Sequence, residues 1–320
     1  MTADALNELA ARALAPALLA GSAAAGDTLA QLRDWAAAVR TSNASTPSAQ
    51  ALAAFTAPRM LVVGIPAGTA IVDDGSGAEP IRAHALAPGA VAGAAQRGAD
   101  AVDALVDEGG DLILLVTGDE PNDLRAALAL ISVFCRIEPA KLVSYSAARL
   151  DSLWMDALAG LRDARRAAVR HRASPARAAE ALDCPALLSA AGAVLEAAAR
   201  RTPVLLDGAV ALAGAVIAEA LRTGAARWCA TSATGALHEG PALQRLGLVA
   251  TPALPGGGAP GAAAILQLRA VQLALQVAAR AALDGDPLEP DPTMPVTAED
   301  LPADSDSMPP QLDPMPQEGP

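Results

Sequence analysis

Aromatic residues are almost missing from this 320-residue chain, at 2% of the sequence. A core without rings must be built from Ala, Leu, Val and Ile. Tyr145, Trp154 and Trp228 are too few and too scattered for a base-stacking platform and read as packing residues. Lysine is missing except for Lys141, so the basic residues are nearly all Arg. The net charge of −12 excludes a nucleic-acid binder, which needs a basic face to replace counterions. No run of about 18 apolar residues is free of polar interruption, so no transmembrane helix is expected. The N-terminus MTADALNELAARALAPALLAG has acids early and no basic start, and reads as an amphipathic helix instead of a signal peptide. Cys135, Cys184 and Cys229 are odd in number and widely spaced, which suggests neither a disulfide framework nor a zinc site. They read as buried thiols of a protein in the reducing cytoplasm.

Periodicity is plentiful. Residues 3–20 and 26–40 repeat as helices, joined by a turn at 21–26 and followed by a polar connection at 41–50. MLVVGI (60–65) is a short apolar strand, and 71–80 is a loop. A helix follows over 88–108. DLILLVTGD (111–119) is a strand with its loop, and 122–134 a helix capped by Asn122 or Asp123. KLVSYS (141–146) reads as a strand. Helices follow at 149–171, at 174–182 (Ser174 as cap, Pro175 at the first position) and at 185–201. TPVLLDG (202–208) is a strand, 209–222 a helix, ARWCATS (226–232) a strand and 241–246 a short helix. A glycine loop from Leu254 runs into a long apolar helix ending near 283.

Continuously apolar strands alternating with helices indicate an α/β fold, a three-layer parallel sheet of Rossmann-like type covered on both faces. Such sheets bind ligands at the carboxyl ends of their strands, here after Ile65, Thr117, Asp207 and Thr231. Residues 57–261 form this large domain. Residues 284–320 are rich in Pro and acids and are expected to be disordered.

Candidate chemistry is sparse. The Gly118–Leu124 loop opens a helix whose N–H groups could bind an anion, but Asp119, Glu120 and Asp123 would repel one. Gly256, Gly257 and Gly258 permit close backbone approach, yet no GK[ST] follows and the spacing is not a dinucleotide fingerprint. DGSG (74–77) could touch phosphate or sugar and reads equally as a turn. His84, His171 and His238 have no Ser, Cys or Asp partner by spacing, so no triad is assigned.

A family resemblance joins these pieces. RTPVLLDGAVALAGAVIAEAL (201–221), GAARW (224–228), LGL (246–248) and GAAAILQLRAV (261–271) resemble, in order, nicotinate-nucleotide:dimethylbenzimidazole phosphoribosyltransferases. LVTGD (115–119), EPAKLVSY (138–145), LDSLWM (150–155), GSG (75–77) and MLVVG (60–64) fall in their places upstream. That family moves phosphoribosyl from nicotinate mononucleotide to a benzimidazole nitrogen, a step of cobalamin biosynthesis. The resemblance implies a homodimer and a small helical subdomain made from both chain ends (1–56 with 262–283), with no metal or cofactor. It places Gly75, Ser76, Gly77, Gly118, Asp119, Asp207, Gly208, Gly257 and Gly261 against substrate.

The polar positions depart from the family pattern. Gly258 holds the place of the glutamate in G-E-G-[ST]-G-A-A that is the family's proposed base. The phosphate loop G-[ED]-M-G-I-G-N-T-T becomes Gly118–Ala126 without its later glycines or threonines. A family lysine falls at Ala157. Glu120 or Glu239 could replace the base. The expectation is a weakly active or inactive member, with a non-catalytic binding protein or a transferase for another azole base as alternatives.

Overall fold

A computed structural model describes residues 2–14, 28–41, 55–65, 81–86, 89–118, 120–144, 151–248, 250–252 and 260–284. Among these, β1 (Pro58–Val63), β2 (Arg82–Leu86), β3 (Leu112–Thr117), β4 (Val204–Asp207), β5 (Cys229–Ala233) and β6 (Ala250–Pro252) form one sheet in the order β2-β1-β3-β4-β5-β6. Every pairing is parallel. Ala83, Met60, Leu114, Leu205 and Ala230 lie in one row across five strands, so the carboxyl ends come level along a common rim. All six residues of β3 are buried, as a strand covered on both faces requires.

The helices are α1 (Thr2–Arg12), α2 (Thr28–Thr41), α3 (Ala94–Asp107), α4 (Pro121–Phe134), α5 (Asp151–Val169), α6 (Pro175–Glu180), α7 (Pro185–Ala199), α8 (Ala209–Leu221), α9 (Glu239–Leu246) and α10 (Ala262–Asp284). Helices α3, α7 and α8 lie side by side against one face of the sheet. Helix α10 crosses β3, β4 and β5 and packs along α2. Helix α1 lies instead over α7, α6 and α3.

The scarcity of rings is met by close helix packing. A Cβ on Gly98 of α3 would stand 2.0 Å from the carbonyl oxygen of Ser189, and one on Gly192 of α7 2.0 Å from that of Ala95. Two helices therefore meet backbone to backbone through reciprocal glycines. The Ser189 hydroxyl donates to the Ala94 carbonyl at 3.0 Å beside the crossing. Helix α7 is buried from Ala186 to Ala198, including Glu196, whose carboxylate accepts from the Arg12 guanidinium at 2.6 Å. Burial pushes the Glu196 carboxyl above its ordinary value, against the pull of Arg12.

Several expected elements differ. The described part of KLVSYS, 141–144, is not a strand: Pro139–Lys141 is a 3-10 turn, and the chain continues irregularly to Ser144. Strand β3 pairs directly with β4, which leaves no slot between them for another strand. The start of the expected 226–232 strand is a 3-10 turn, Ala225–Trp228, and β5 begins at Cys229. Glu120, not Asn122 or Asp123, precedes the first turn of α4, because Pro121 takes the first helical position. The helix expected from 88 starts at Ala94, after Gly93 turns the chain with φ 77°. His84 lies in β2, an edge strand whose 83–85 stretch is exposed, and not in a loop. The polar connection at 41–50 lies outside the described residues beyond Thr41, as do the 71–80 loop and the tail beyond Asp284.

Gly192→Ala should lower the unfolding free energy by about 3 kcal/mol or more, because backbone cannot yield to the new methyl as a side chain can. Gly240→Ala, with nothing within 4 Å of the new Cβ, should be neutral or gain up to about 1 kcal/mol. Denaturant midpoints of the two variants check this, and equal losses would refute the crossing as the cause. Glu196 binds its proton more tightly folded than unfolded, so its favourable contribution is full below the ordinary glutamate value and fades as pH rises through the raised one. Wild type should therefore lose stability relative to Glu196→Gln as pH rises from the ordinary glutamate range through the raised value; a difference that does not change with pH would contradict the raised value.

Candidate functional site

The strand order reverses direction between β1 and β3, since β2 lies to one side of β1 and β3 to the other. Open parallel sheets bind ligands at such a switch point, outside the carboxyl ends. A cavity of about 300 Å³ opens there, lined by Val63, Gly64, Ile65, Glu120, Asp123 and Ala186 among others. Its walls are tightly set. A Cβ on Gly118 would stand 2.8 Å from the Gly64 carbonyl oxygen, and one on Gly64 2.9 Å from the Ala186 Cβ. Gly64 also has φ 69°, which favours glycine.

The Cys184 thiol donates to the Asp123 carboxylate at 3.2 Å on the α7 side of this cavity. Burial, above all, pushes the thiol up to about 12, and the nearby Asp123 charge adds to the rise. Burial likewise raises Cys135 to about 11 and lifts Cys229 further. All three cysteines are free.

A second cavity of about 230 Å³ lies farther along the rim, lined by Asp207, Gly208, Thr231, Ser232, His238 and Glu239 among others. Thr117 joins it to the first. Its hydroxyl donates to the Asp207 carbonyl and accepts from the Ala211 N–H, each at 3.2 Å, tying the end of β3 to β4 and the first turn of α8. Gly208 has φ 106°, and a Cβ there would stand 2.3 Å from that hydroxyl, so only glycine fits. The Asp207 carboxylate accepts from the Ala264 N–H at 3.2 Å, which anchors the first turn of α10 just after Gly261. Glu239 is buried and accepts from the Thr234 hydroxyl and the N–H groups of Gly235 and Ala236 at 2.7–3.0 Å. It shapes its own loop, with most of its acceptor capacity in use.

Gly118, Asp207, Gly208 and Gly261 lie along the rim. Gly75, Ser76, Gly77, Asp119, Gly257 and Gly258 lie outside the described residues. Sequence reasoning missed Gly64, Thr117 and the Asp123–Cys184 pair as site-forming residues; the Gly64 turn after an apolar run was the one local signal. His171 is exposed after α5, and His238 borders the second cavity. Neither cavity is lined by Lys or Arg among the described residues, whereas Glu120, Asp123, Asp207 and Glu239 all border them. No group of three His, Cys, Asp or Glu side chains among those residues is placed to hold a metal, and no helix is long and apolar enough to cross a membrane.

A family model described as phosphoribosyltransferase (DBI_PRT) matches residues 36–284. The chain is 36% identical over 131 residues to the nicotinate-nucleotide–dimethylbenzimidazole phosphoribosyltransferase of Corynebacterium glutamicum, covering 39% of this chain and 35% of that protein. It is 35% identical over 199 residues to the protein of the same name from Mycobacterium bovis, covering 60% and 54%. The matched segments thus span about a third to just over half of these relatives' lengths. In fold it is similar to CobT from Thermus thermophilus, with TM-score 0.57, 16% identity, and coverage of 86% of this chain and 95% of that one.

A thiol held at about 12 is almost wholly protonated at pH 8. Iodoacetamide should alkylate Cys184 in the native chain roughly 10³-fold more slowly than after denaturation, which peptide mass mapping reads directly. Equal rates in the two states would show an exposed, activated thiol.

Proposed function

The chain belongs to the phosphoribosyltransferase family whose model spans its residues 36–284, and from that premise we propose that it binds the family's benzimidazole-type base and nicotinate nucleotide while transferring the phosphoribosyl group slowly. The observation that carries the reading is that no Lys or Arg lines either rim cavity among the described residues. The cavity between the ends of β1 and β3 has the apolar walls a flat base needs. The hydroxyls and carboxylates beside Asp207 suit ribose hydroxyls, which can donate to them. A phosphate would meet no Lys or Arg among the described rim residues, and the four carboxylates there oppose its charge.

The transfer needs a group to take the imidazole proton as the new bond to the anomeric carbon forms. With glycine at position 258, the carboxylates left for this are those of the rim. Glu239 already holds three donors, whereas Glu120 is exposed at the first cavity and is the freer acceptor. Loss of a positioned general base lowers rate by about 10²–10⁴. A homodimer and a cytoplasmic setting belong to the same proposal. Leu266, Leu273 and Val277 support the former, since they recur at i, i+7 and i+11 on α10 and are each about half exposed.

Incubation of the pure chain with nicotinate mononucleotide and dimethylbenzimidazole should yield the riboside phosphate at least about 10²-fold more slowly than the Corynebacterium relative. Dimethylbenzimidazole should still bind by calorimetry, and Gly258→Glu should raise the rate about tenfold or more. Turnover at the relative's rate that Asp207→Ala abolishes would overturn the slow-transfer reading. Absence of base binding would overturn the ligand reading.

A further inference from the structure

Helix α5 carries a largely unpaired cationic surface among the described residues, in a chain whose net charge is −12. Its inner side packs through Leu158, Leu161 and Ala168. Arg162, Arg166, Arg170 and Arg172 are exposed on and just beyond its last turns. Of these, Arg166 pairs with Asp163 at 2.8 Å, and no ion pair holds the other three among the described residues. Arg165 has a buried Nε with no hydrogen-bond partner among those residues. At the other end of the helix the surface turns apolar. Leu153 and Met155 are 54% and 55% exposed. A groove of about 490 Å³ runs between α4 and α5, with Leu124, Leu128, Leu142, Leu153 and Leu161 in its walls and Arg125 at its edge.

The surface thus has two parts, an apolar groove and an arginine cluster about three turns farther along the helix. The C-terminal segment 285–320 has the complementary two parts in reverse order. Glu299, Asp300, Asp304 and Asp306 form an acidic block, and Met308-Pro-Pro-Gln-Leu-Asp-Pro-Met315 follows as a Pro-, Met- and Leu-rich stretch. The segment contains no Lys, Arg or His. Its residues lie outside the described ones, and it leaves from the end of α10 at Asp284. At about 3 Å per residue, its 36 residues (285 to 320) reach roughly 100 Å, so length does not restrict where it can bind.

The geometry points to this segment of the same chain as the occupant of α5. Its acidic block lies along Arg162, Arg166, Arg170 and Arg172. Residues 308–315 lie in the α4/α5 groove, antiparallel to α5, with Asp313 near Arg125. Proline-rich sequence suits this role, because it lies extended in an apolar groove and loses little conformational freedom on docking. The groove adjoins the second rim cavity through Leu124, but the inference involves neither cavity's carboxylates and holds whether or not transfer occurs.

The test uses the full chain with p-benzoylphenylalanine in place of Leu312. Irradiation should give cross-links at monomer mass, mapped to residues 121–161. Arg162→Glu, Arg166→Glu and Arg170→Glu together should cut their yield about fivefold, the worth of two or three exposed ion pairs. Raising the salt from about 0.05 to about 0.5 M should cut the yield in the unsubstituted chain in the same direction, a control that needs no variant to fold. Adding Glu299→Arg, Asp300→Arg and Asp304→Arg to the triple variant should restore it. Cross-links only at dimer mass, or mapped outside α4 and α5, would overturn the proposal, as would a yield indifferent to both charge reversal and salt.

Discussion

The crossing of α3 and α7 fixes the height of everything above it. A chain with 2% aromatics cannot space its helices with rings, and alanine alone fills little volume. The remaining solution is to bring backbones together, and Gly98 and Gly192 do so reciprocally. The contact has no soft side chain to absorb error, so α7 is held where its own start must be. That start, Pro185–Ala186, walls the switch-point cavity and stands against Gly64, which is closed in turn against Gly118. A continuous series of close approaches therefore runs from the helix layer to the ends of β1 and β3. Loosening the crossing would move the cavity wall before it exposed any core residue.

Thr117 plays the corresponding part within the sheet. One hydroxyl, both donor and acceptor, binds the end of β4 and the start of α8 to the end of β3. Because it fills the space beside Gly208, the strand-to-helix turn is tight enough to leave the Asp207 carboxylate on the rim, where it takes the Ala264 N–H. The rim is thus rigid and negative. A rigid acidic rim is compatible with neutral bases and hydroxyl-bearing sugars and opposes a dianionic phosphate unless cations come from elsewhere.

What could be read from the sequence followed from how local its cause was. Strands β1, β3 and β4 are continuous apolar runs because both sheet faces are covered, and such runs are visible without knowing their neighbours. Strand β2, Arg-Ala-His-Ala-Leu, lies at an edge, is largely exposed and lacks β-branched residues, so no pattern announced it. The segment after Glu138 looked like a strand by composition, yet β3 and β4 pair directly and exclude it. At the site, Gly118 stood out in a loop between a strand and a helix, whereas Gly208 was named only through the family resemblance. Asp123 and Cys184 are 61 positions apart and meet only through the packing of α4 beside α7, which no spacing rule reports.

Two positions at which the sequence departs from the resembled pattern fall in one groove. Alanine stands at 157 in place of the family lysine, and Arg125 stands where the family loop has a threonine. Both residues line the α4/α5 groove, and the Arg125 guanidine nitrogen Nε would lie 3.1 Å from a Cβ on Gly160. A lysine at 157 would bring a second cation into a groove that Arg125 already borders, with few carboxylates to separate them. The groove's cation is thus carried on α4, with alanine facing it from α5. On α4 it lies across Gly160 and away from the two rim cavities, where a phosphate would need it.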